Sequence, residues 1–374
     1  MVDFILVLLI SIYIYSVSNS CYISLDNPQK TFLVLLFIIH FGMMWVAYND
    51  NIVDAISFYK NAKNAESWLS LFGLGSAFMS FLIYPLVKIG VSMFVLFLLF
   101  ATISYKAFLW YFNQMISNYN SGATVYGISL AQMFFLLPSL HYWSSFLGKD
   151  VLIFFFLTYL LFEFKMKVKL NILHFIVLVV LLLLRPHVFF AVFFAFFIFY
   201  FSQKEISIYF KIKLSILALT VVGFSIPIIM YFGKIKHLTY SSIIERWSSI
   251  NNYAIHSRSG INLTESNYLD RIWLLLFRPL FYDATTIYQY IVSIENSFML
   301  FFFILVIVYL FINWKAIVVL QDAKLALLIG ICIVLMISIY IYNLGLASRM
   351  RLMFLPLFFY ALHQLIFTKR LENK

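Results

Sequence analysis

The chain has 374 residues, of which 64% are hydrophobic, 20% aromatic and only 11% charged, with a formal net charge of +11. A soluble domain is closer to half apolar and a quarter charged, so this chain has too little polar surface to cover a fold in water. The expected solvent is a bilayer, where only helices or a closed barrel satisfy the backbone, and the continuous rather than alternating apolar runs exclude the barrel.

A spanning helix needs about 20 largely apolar residues. In chain order the runs predict spans near 3–20, 31–48, 89–111, 123–140, 150–163, 170–184, 188–202, 214–232, 297–314, 325–343 and 351–367. This is an all-α polytopic bundle of about eleven spans, read as one integral membrane domain over 1–374. The first run follows Asp3 rather than a basic region and reads as a span, not a cleaved signal. Segment 71–88, with Gly73, Gly75 and Pro85, and segment 272–292, broken by Arg278, Pro279 and Asp283, read as re-entrant or interfacial. The stretch 233–292 is expected to be a large, partly helical loop, since its aromatic content argues against disorder. Cys21 and Cys332 supply neither a disulfide framework nor metal-ligand spacing.

Charge sets the expected orientation. Lys165, Lys167 and Lys169 form one basic loop, Lys204, Lys211 and Lys213 a second, Lys315 and Lys324 a third, and Lys369, Arg370 and Lys374 close the chain. All four fall on one face of the span pattern, which the positive-inside rule makes cytoplasmic. The loop 233–292 is then extracytoplasmic, and so are seven of the eight arginines: Arg185, Arg246, Arg258, Arg271, Arg278, Arg349 and Arg351. Topology needs only positive charge, which lysine supplies. Arginine adds a planar fork that grips phosphate or carboxylate with two hydrogen bonds. The ordinary alternative is pairing with Glu245, Glu265, Asp270, Asp283 and Glu295 in a folded loop. The net positive charge is read as loop lysines plus a local anion site, not as nucleic-acid binding.

Four segments carry the candidate chemistry. Between two spans, Pro138 to Asp150 mixes hydroxyls with Trp143, Lys149 and Asp150. Arg185–Pro186–His187 is a tight turn close to hydrocarbon, where an unpaired charge is costly and a bound anion would compensate it. The long loop holds Glu245–Arg246–Trp247, His256–Ser257–Arg258, Asp270–Arg271 and Phe277–Arg278–Pro279. Asn343, Gly345, Ser348, Arg349 and Arg351 precede the last span. Arginines and histidines around an extracytoplasmic cavity suit an amphiphile with an anionic head, such as a polyprenyl diphosphate. His40 reads as a lone polar residue on an apolar helix, and Lys106 lies near a cytoplasmic end. The common nucleotide, zinc-protease and serine-hydrolase motifs are missing.

In length, aromatic style, span number and one arginine-bearing outer loop, the chain resembles bacterial O-antigen and capsular polysaccharide polymerases of the Wzy type. The segments Trp143–Ser144–Ser145 to Lys149–Asp150, Arg185–Pro186–His187, Phe277–Arg278–Pro279 and Asn343 to Arg351 carry the likeness. An arginine-then-glycine spacing described for outer loops of some polymerases does not follow Arg185 or Arg246. The resemblance implies a metal-independent glycosyltransferase of the bacterial inner membrane, without cofactor. Its partners would be an undecaprenyl-diphosphate-linked oligosaccharide, the bilayer and a chain-length regulator protein. Arg185, Arg278, Arg349 and Arg351 would bind the diphosphate, and Arg246, Arg258, Trp143 and Lys149 the glycan. His187, Glu245 and His256 are the candidates for the base. Two other readings stand beside it. One is a GT-C-like multispan glycosyltransferase using a polyprenyl-phosphate sugar, with Asp50 and Asp54 in an acidic first outer loop. The other is a lipid-linked oligosaccharide flippase, disfavoured because the charges gather at one face rather than within the spans.

Overall fold

The computed structural model describes residues 2–23, 25–117, 128–163, 172–233, 235, 237, 239–257, 259–312 and 320–367. Among them there is no strand, and Gly260 and Asn343 form an isolated antiparallel bridge. Apolar runs with few glycines or prolines leave the backbone no partner but itself, and helices follow. In order they are α1 (Val2–Tyr22), α2 (Asn27–Asn49), α3 (Val53–Asn64), α4 (Ser76–Lys88), α5 (Met93–Ser117), α6 (Leu130–Met133), α7 (Pro138–Ser144), α8 (Lys149–Glu163) and α9 (Ile172–Leu184). Then come α10 (Pro186–Ser202), α11 (Ile208–Gly233), α12 (Tyr240–Ile255), α13 (Tyr268–Phe277), α14 (Ile287–Ile312), α15 (Gln321–Ser338), α16 (Leu344–Met350) and α17 (Leu355–Phe367).

Six of these helices, α1, α2, α5, α11, α14 and α15, are long and apolar enough to cross a membrane. Two bent pairs, α7 with α8 at 105° and α16 with α17 at 50°, raise the number to eight if each is one span. This is a multi-pass helical membrane protein. The expected span at 123–140 does not form one continuous helix: 118–127 lie outside the described residues, and 130–144 are divided among α6, a 3-10 turn and α7. Pro138 explains the last division, because it sits at the first position of α7 and cannot continue a helix from Leu137. Helix α10 is 17 residues long, about 26 Å at 1.5 Å per residue, a little short of a bilayer core.

The chain divides into two compact units. The first comprises Met1–Arg185, Phe301–Leu327 and Leu352–Lys374. Here α5 packs against α1, α2, α8 and α17, and α3 packs against α4. Aromatic rings fill the centre: Phe32 stacks on Phe112 at 5.3 Å, and Tyr111 lies between Phe135, Phe154 and Tyr360. Lipid is the natural cover for the outer face of α1, where Phe4, Leu8, Ile12 and Tyr15 are exposed.

The second unit comprises Pro186–Leu300 and Leu328–Arg351. Helix α10 packs on α11, whose other sides expose Ile208, Ile216, Leu219 and Phe224. The stretch expected as a loop over 233–292 is helical in α12 and α13, has a 3-10 turn at Phe281–Asp283, and gives its last residues to α14. Helix α13 packs on α16.

Candidate functional site

In the first unit the charged residues of the 138–150 segment are engaged locally. Asp150 lies in the first turn of α8, where the helix dipole favours an anion. Arg185 follows the last residue of α9, and its Nη2 donates to Asp150 Oδ1 at 2.6 Å. Asp150 is fully buried and Arg185 only 7% exposed. The same corner is tied by the Gly75 N–H donating to Leu183 O at 2.7 Å and by Lys149 Nζ donating to Ser76 Oγ at 3.2 Å. Gly75 has φ +67°, a conformation glycine reaches without strain. Trp143 packs edge-on against Tyr142 and Phe146. The Arg185 charge, expected to call for a bound anion, is met by Asp150. The sequence showed an acid beside Lys149, but nothing in a separation of 35 residues pointed to Arg185.

In the second unit three arginines serve the fold of the 239–286 region. Arg271 donates to Ile339 O at 3.1 Å, Leu263 O at 3.1 Å, Ser266 O at 3.0 Å and Ser266 Oγ at 3.2 Å. Its guanidinium also lies 4.7 Å over the Trp247 ring. Burial pulls its pKa below the ordinary arginine value. Arg278 forms a two-pronged pair with Asp283, its Nε donating to Oδ2 at 3.0 Å and its Nη2 to Oδ1. Hydrogen bonding to that carboxylate, helped by its charge, raises the Arg278 pKa. Arg351 is 3% exposed. Its Nε donates to Leu275 O at 2.8 Å, its Nη1 to Asn296 Oδ1 at 2.6 Å, and its Nη2 to Leu274 O at 3.4 Å and to Arg278 O. These carbonyls close the C-terminal end of α13, so Arg351 caps that helix with a buried cation. Buried Glu295 supplies opposing charge to it. Sequence reading missed Asn296 and the carbonyl cage, because backbone acceptors leave no mark on residue types.

The remaining candidates divide by environment. His187 is half-buried, its Nε2 2.9 Å from Tyr340 OH. Glu245 is exposed on α12, and Arg246 beside it is half-buried with its Nε lacking a hydrogen-bond partner among the described residues. Arg258 lies outside the described residues. Arg349 is half-buried in the last turn of α16. His256 is the C-cap of α12 and is exposed. Its Nδ1 donates to Asn252 O at 2.7 Å, so in the neutral ring the lone pair lies on Nε2.

The turn after His256 is pinned from several sides. Ile261 N–H donates to Tyr342 O at 2.9 Å and Leu344 N–H to Ser259 O at 3.1 Å, flanking the Gly260–Asn343 bridge. Asn343 Nδ2 donates to Ser257 Oγ at 3.2 Å, while Asn343 Oδ1 caps α16 by accepting from Gly345 and Leu346 N–H. A Cβ on Gly260 would fall 1.6 Å from Ala254 O, so only glycine fits there. Residues 257, 259, 260 and 261 are thereby held beside the start of the short helix that carries Arg349. Among the described residues no cluster of three or more His, Cys, Asp or Glu could hold a metal. No protein-family model, curated protein or solved structure matches the chain.

Proposed function

We propose that this membrane protein is a surface-polysaccharide polymerase, moving a glycan from undecaprenyl diphosphate to a lipid-linked repeat unit on the extracytoplasmic face of a bacterial inner membrane. The observation that carries this is the clasped turn of the second unit, where a histidine whose neutral ring has its lone pair on Nε2 directly precedes residues held beside the start of an arginine-bearing helix. A polymerase needs a base for the acceptor hydroxyl and cations for the leaving diphosphate, and both belong at the rim of an apolar helical body, where a lipid-linked sugar presents its head.

In this reading the acceptor oxygen bonds to the anomeric carbon of the donor while the bond from that carbon to the diphosphate oxygen breaks. The hydroxyl proton passes to His256 Nε2, and the electron pair leaves with the diphosphate. Arg349 and Arg258 stabilise the growing negative charge, and Arg246, farther back on α12, contacts the glycan. Glu245 is eleven residues before His256, about 16 Å along a helix, too far to share the same proton transfer. Arg271, Arg278 and Arg351 shape the region instead of gripping substrate, since their donors are committed to the fold. The glycan of the lipid-linked substrate and any chain-length regulator would meet the exposed face of α12.

The test is the lipopolysaccharide or capsule ladder of a deletion strain complemented at matched protein level. His256→Ala should leave a single repeat with no ladder, and Arg349→Lys should shorten the ladder strongly, since lysine is a point donor. A wild-type ladder from both variants refutes the reading. One observation favours a second reading as a GT-C-like transferase. Asp50 accepts from Tyr142 OH at 2.9 Å, and Asp54 opens α3, an amphipathic helix that directly follows a span. If that reading holds, Asp54→Asn abolishes even the single repeat, whereas a polymerase tolerates it.

A further inference from the structure

His40 lies well inside α2, a helix long and apolar enough to cross the membrane, and it is not alone. Its Nδ1 is 2.9 Å from Nδ1 of His141 on α7. Its Nε2 is 2.8 Å from Ala101 O and 3.2 Å from Ser104 Oγ, both on α5. On the far side of the pair, His141 Nε2 is 2.7 Å from Phe135 O. Both histidines and Ser104 are fully buried.

Counting protons decides what this arrangement requires. A carbonyl oxygen brings no proton, so each Nε2 that bonds to one must carry hydrogen. A neutral imidazole has a single N–H, so two such rings would turn lone pair against lone pair across the 2.9 Å between their Nδ1 atoms. One additional proton between them removes the conflict. The competing assignment has Ser104 donating to His40 Nε2, but that sets an unprotonated nitrogen against Ala101 O at 2.8 Å. The Ser104 hydroxyl already has acceptors in Ala101 O at 3.0 Å and Phe100 O at 3.3 Å. We infer that His40 and His141 form a buried binding site for one proton, held between their Nδ1 atoms as an imidazole–imidazolium pair.

The surroundings suit a cation that has no carboxylate. The Phe108 ring centroid is 4.5 Å from that of His141 and 5.5 Å from that of His40, and Phe41 is 5.3 Å from His40. The two carbonyls accept charge-assisted hydrogen bonds. Among the described residues, the titratable group packed beside the pair is Tyr105 of α5, 5.8 Å from His40, with its OH placed 3.1 Å from Ser18 Oγ. From α2, α7, α8 and the 3-10 turn at Phe134–Leu136 the neighbours are Phe41, Phe154 and Phe135, and no carboxylate bonds either ring. An ionisable pair at membrane depth is costly and marks function by default. Losing the proton turns the contact repulsive and pushes α7 away from α2. Since α7 leads into α8, whose first turn holds Asp150, protonation of this pair controls the placement of that end of the first unit. This site does not depend on whether the chain transfers glycans.

The experiment uses the intact chain, labelled with heavy-nitrogen histidine and reconstituted in lipid bilayers, read by solid-state nuclear magnetic resonance. Among the described residues His40–His141 is the only histidine–histidine contact, so a nitrogen–nitrogen coupling across a hydrogen bond reports on it. As pH is lowered we expect that coupling together with three N–H protons on the two rings, and loss of both the third proton and the coupling as pH is raised. Two N–H protons throughout the pH range, or no inter-ring coupling at any pH, overturns the site. A coupling that persists in His141→Gln also overturns it, because the signal then belongs to other histidines.

Discussion

Replacing Asp150 with asparagine removes the charge of one partner of a buried ion pair, whose other member, Arg185, is 7% exposed. At the contact distance of 2.6 Å the charge centres lie about 4 Å apart, and with an effective dielectric near 20 the attraction is about 4 kcal/mol. Removing one member of a buried pair costs about 3–5 kcal/mol by experience elsewhere, which agrees. Against a typical folding stability of about 5–15 kcal/mol this is a large loss. Replacing both partners by apolar residues, Asp150→Leu with Arg185→Met, removes both charges from the buried site and should recover most of it. The assay is thermal unfolding in one detergent of the parent, Asp150→Leu, Arg185→Met and the double variant, closed as a double-mutant cycle. A coupling of about 3 kcal/mol or more is expected. If the single effects simply add, the pair contributes no specific interaction, and the assignment of Arg185 to the fold fails.

Two further predictions concern the second unit. Arg351→Met removes four hydrogen bonds, three of them at the end of α13, and leaves the carbonyls of Leu274, Leu275 and Arg278 without their cationic partner, so α13 should become protease-sensitive with a loss of roughly 3 kcal/mol or more; limited proteolysis of membranes gives the comparison, and unchanged resistance refutes the capping role. For orientation, single cysteines replacing Arg258 and Lys204 should differ toward an impermeant thiol reagent added outside: position 258 labelled, position 204 not, with the reverse pattern refuting the expected topology.

The helical, membrane-embedded class was legible because composition alone fixes the solvent, and some boundaries followed closely. The run expected at 3–20 became α1 over Val2–Tyr22, while the run at 31–48 became α2 over Asn27–Asn49. The earlier start of α2 reflects Asp26, whose carboxylate caps it, and Pro28 in its first turn, both polar or breaking residues that a hydropathy window discounts. The arginines were harder. A guanidinium that caps carbonyls and one that grips phosphate use the same planar fork, so their residue types cannot separate them. Asp283, five residues after Arg278, was open to a local reading, but the backbone oxygens around Arg271 and Arg351 were not. His40 and His141 stand 101 residues apart on apolar segments, and nothing local to either announces the other.

The bridge between Gly260 and Asn343 also sets an order of events during synthesis. The segment 239–260 leaves the ribosome 83 residues before its anchor does, with all of α14 and α15 still to be made and inserted. Until Tyr342, Asn343 and Leu344 arrive, the turn beyond His256 lacks the hydrogen bonds that seat it. Closing a loop of that length costs about 4 kcal/mol of chain entropy, which only the finished contacts repay. The second unit therefore matures from its membrane helices outward, and the clasped turn is the last part to take shape. A nascent chain stopped after α14 would carry α12 and α13 without the partner segment that seats the turn between them.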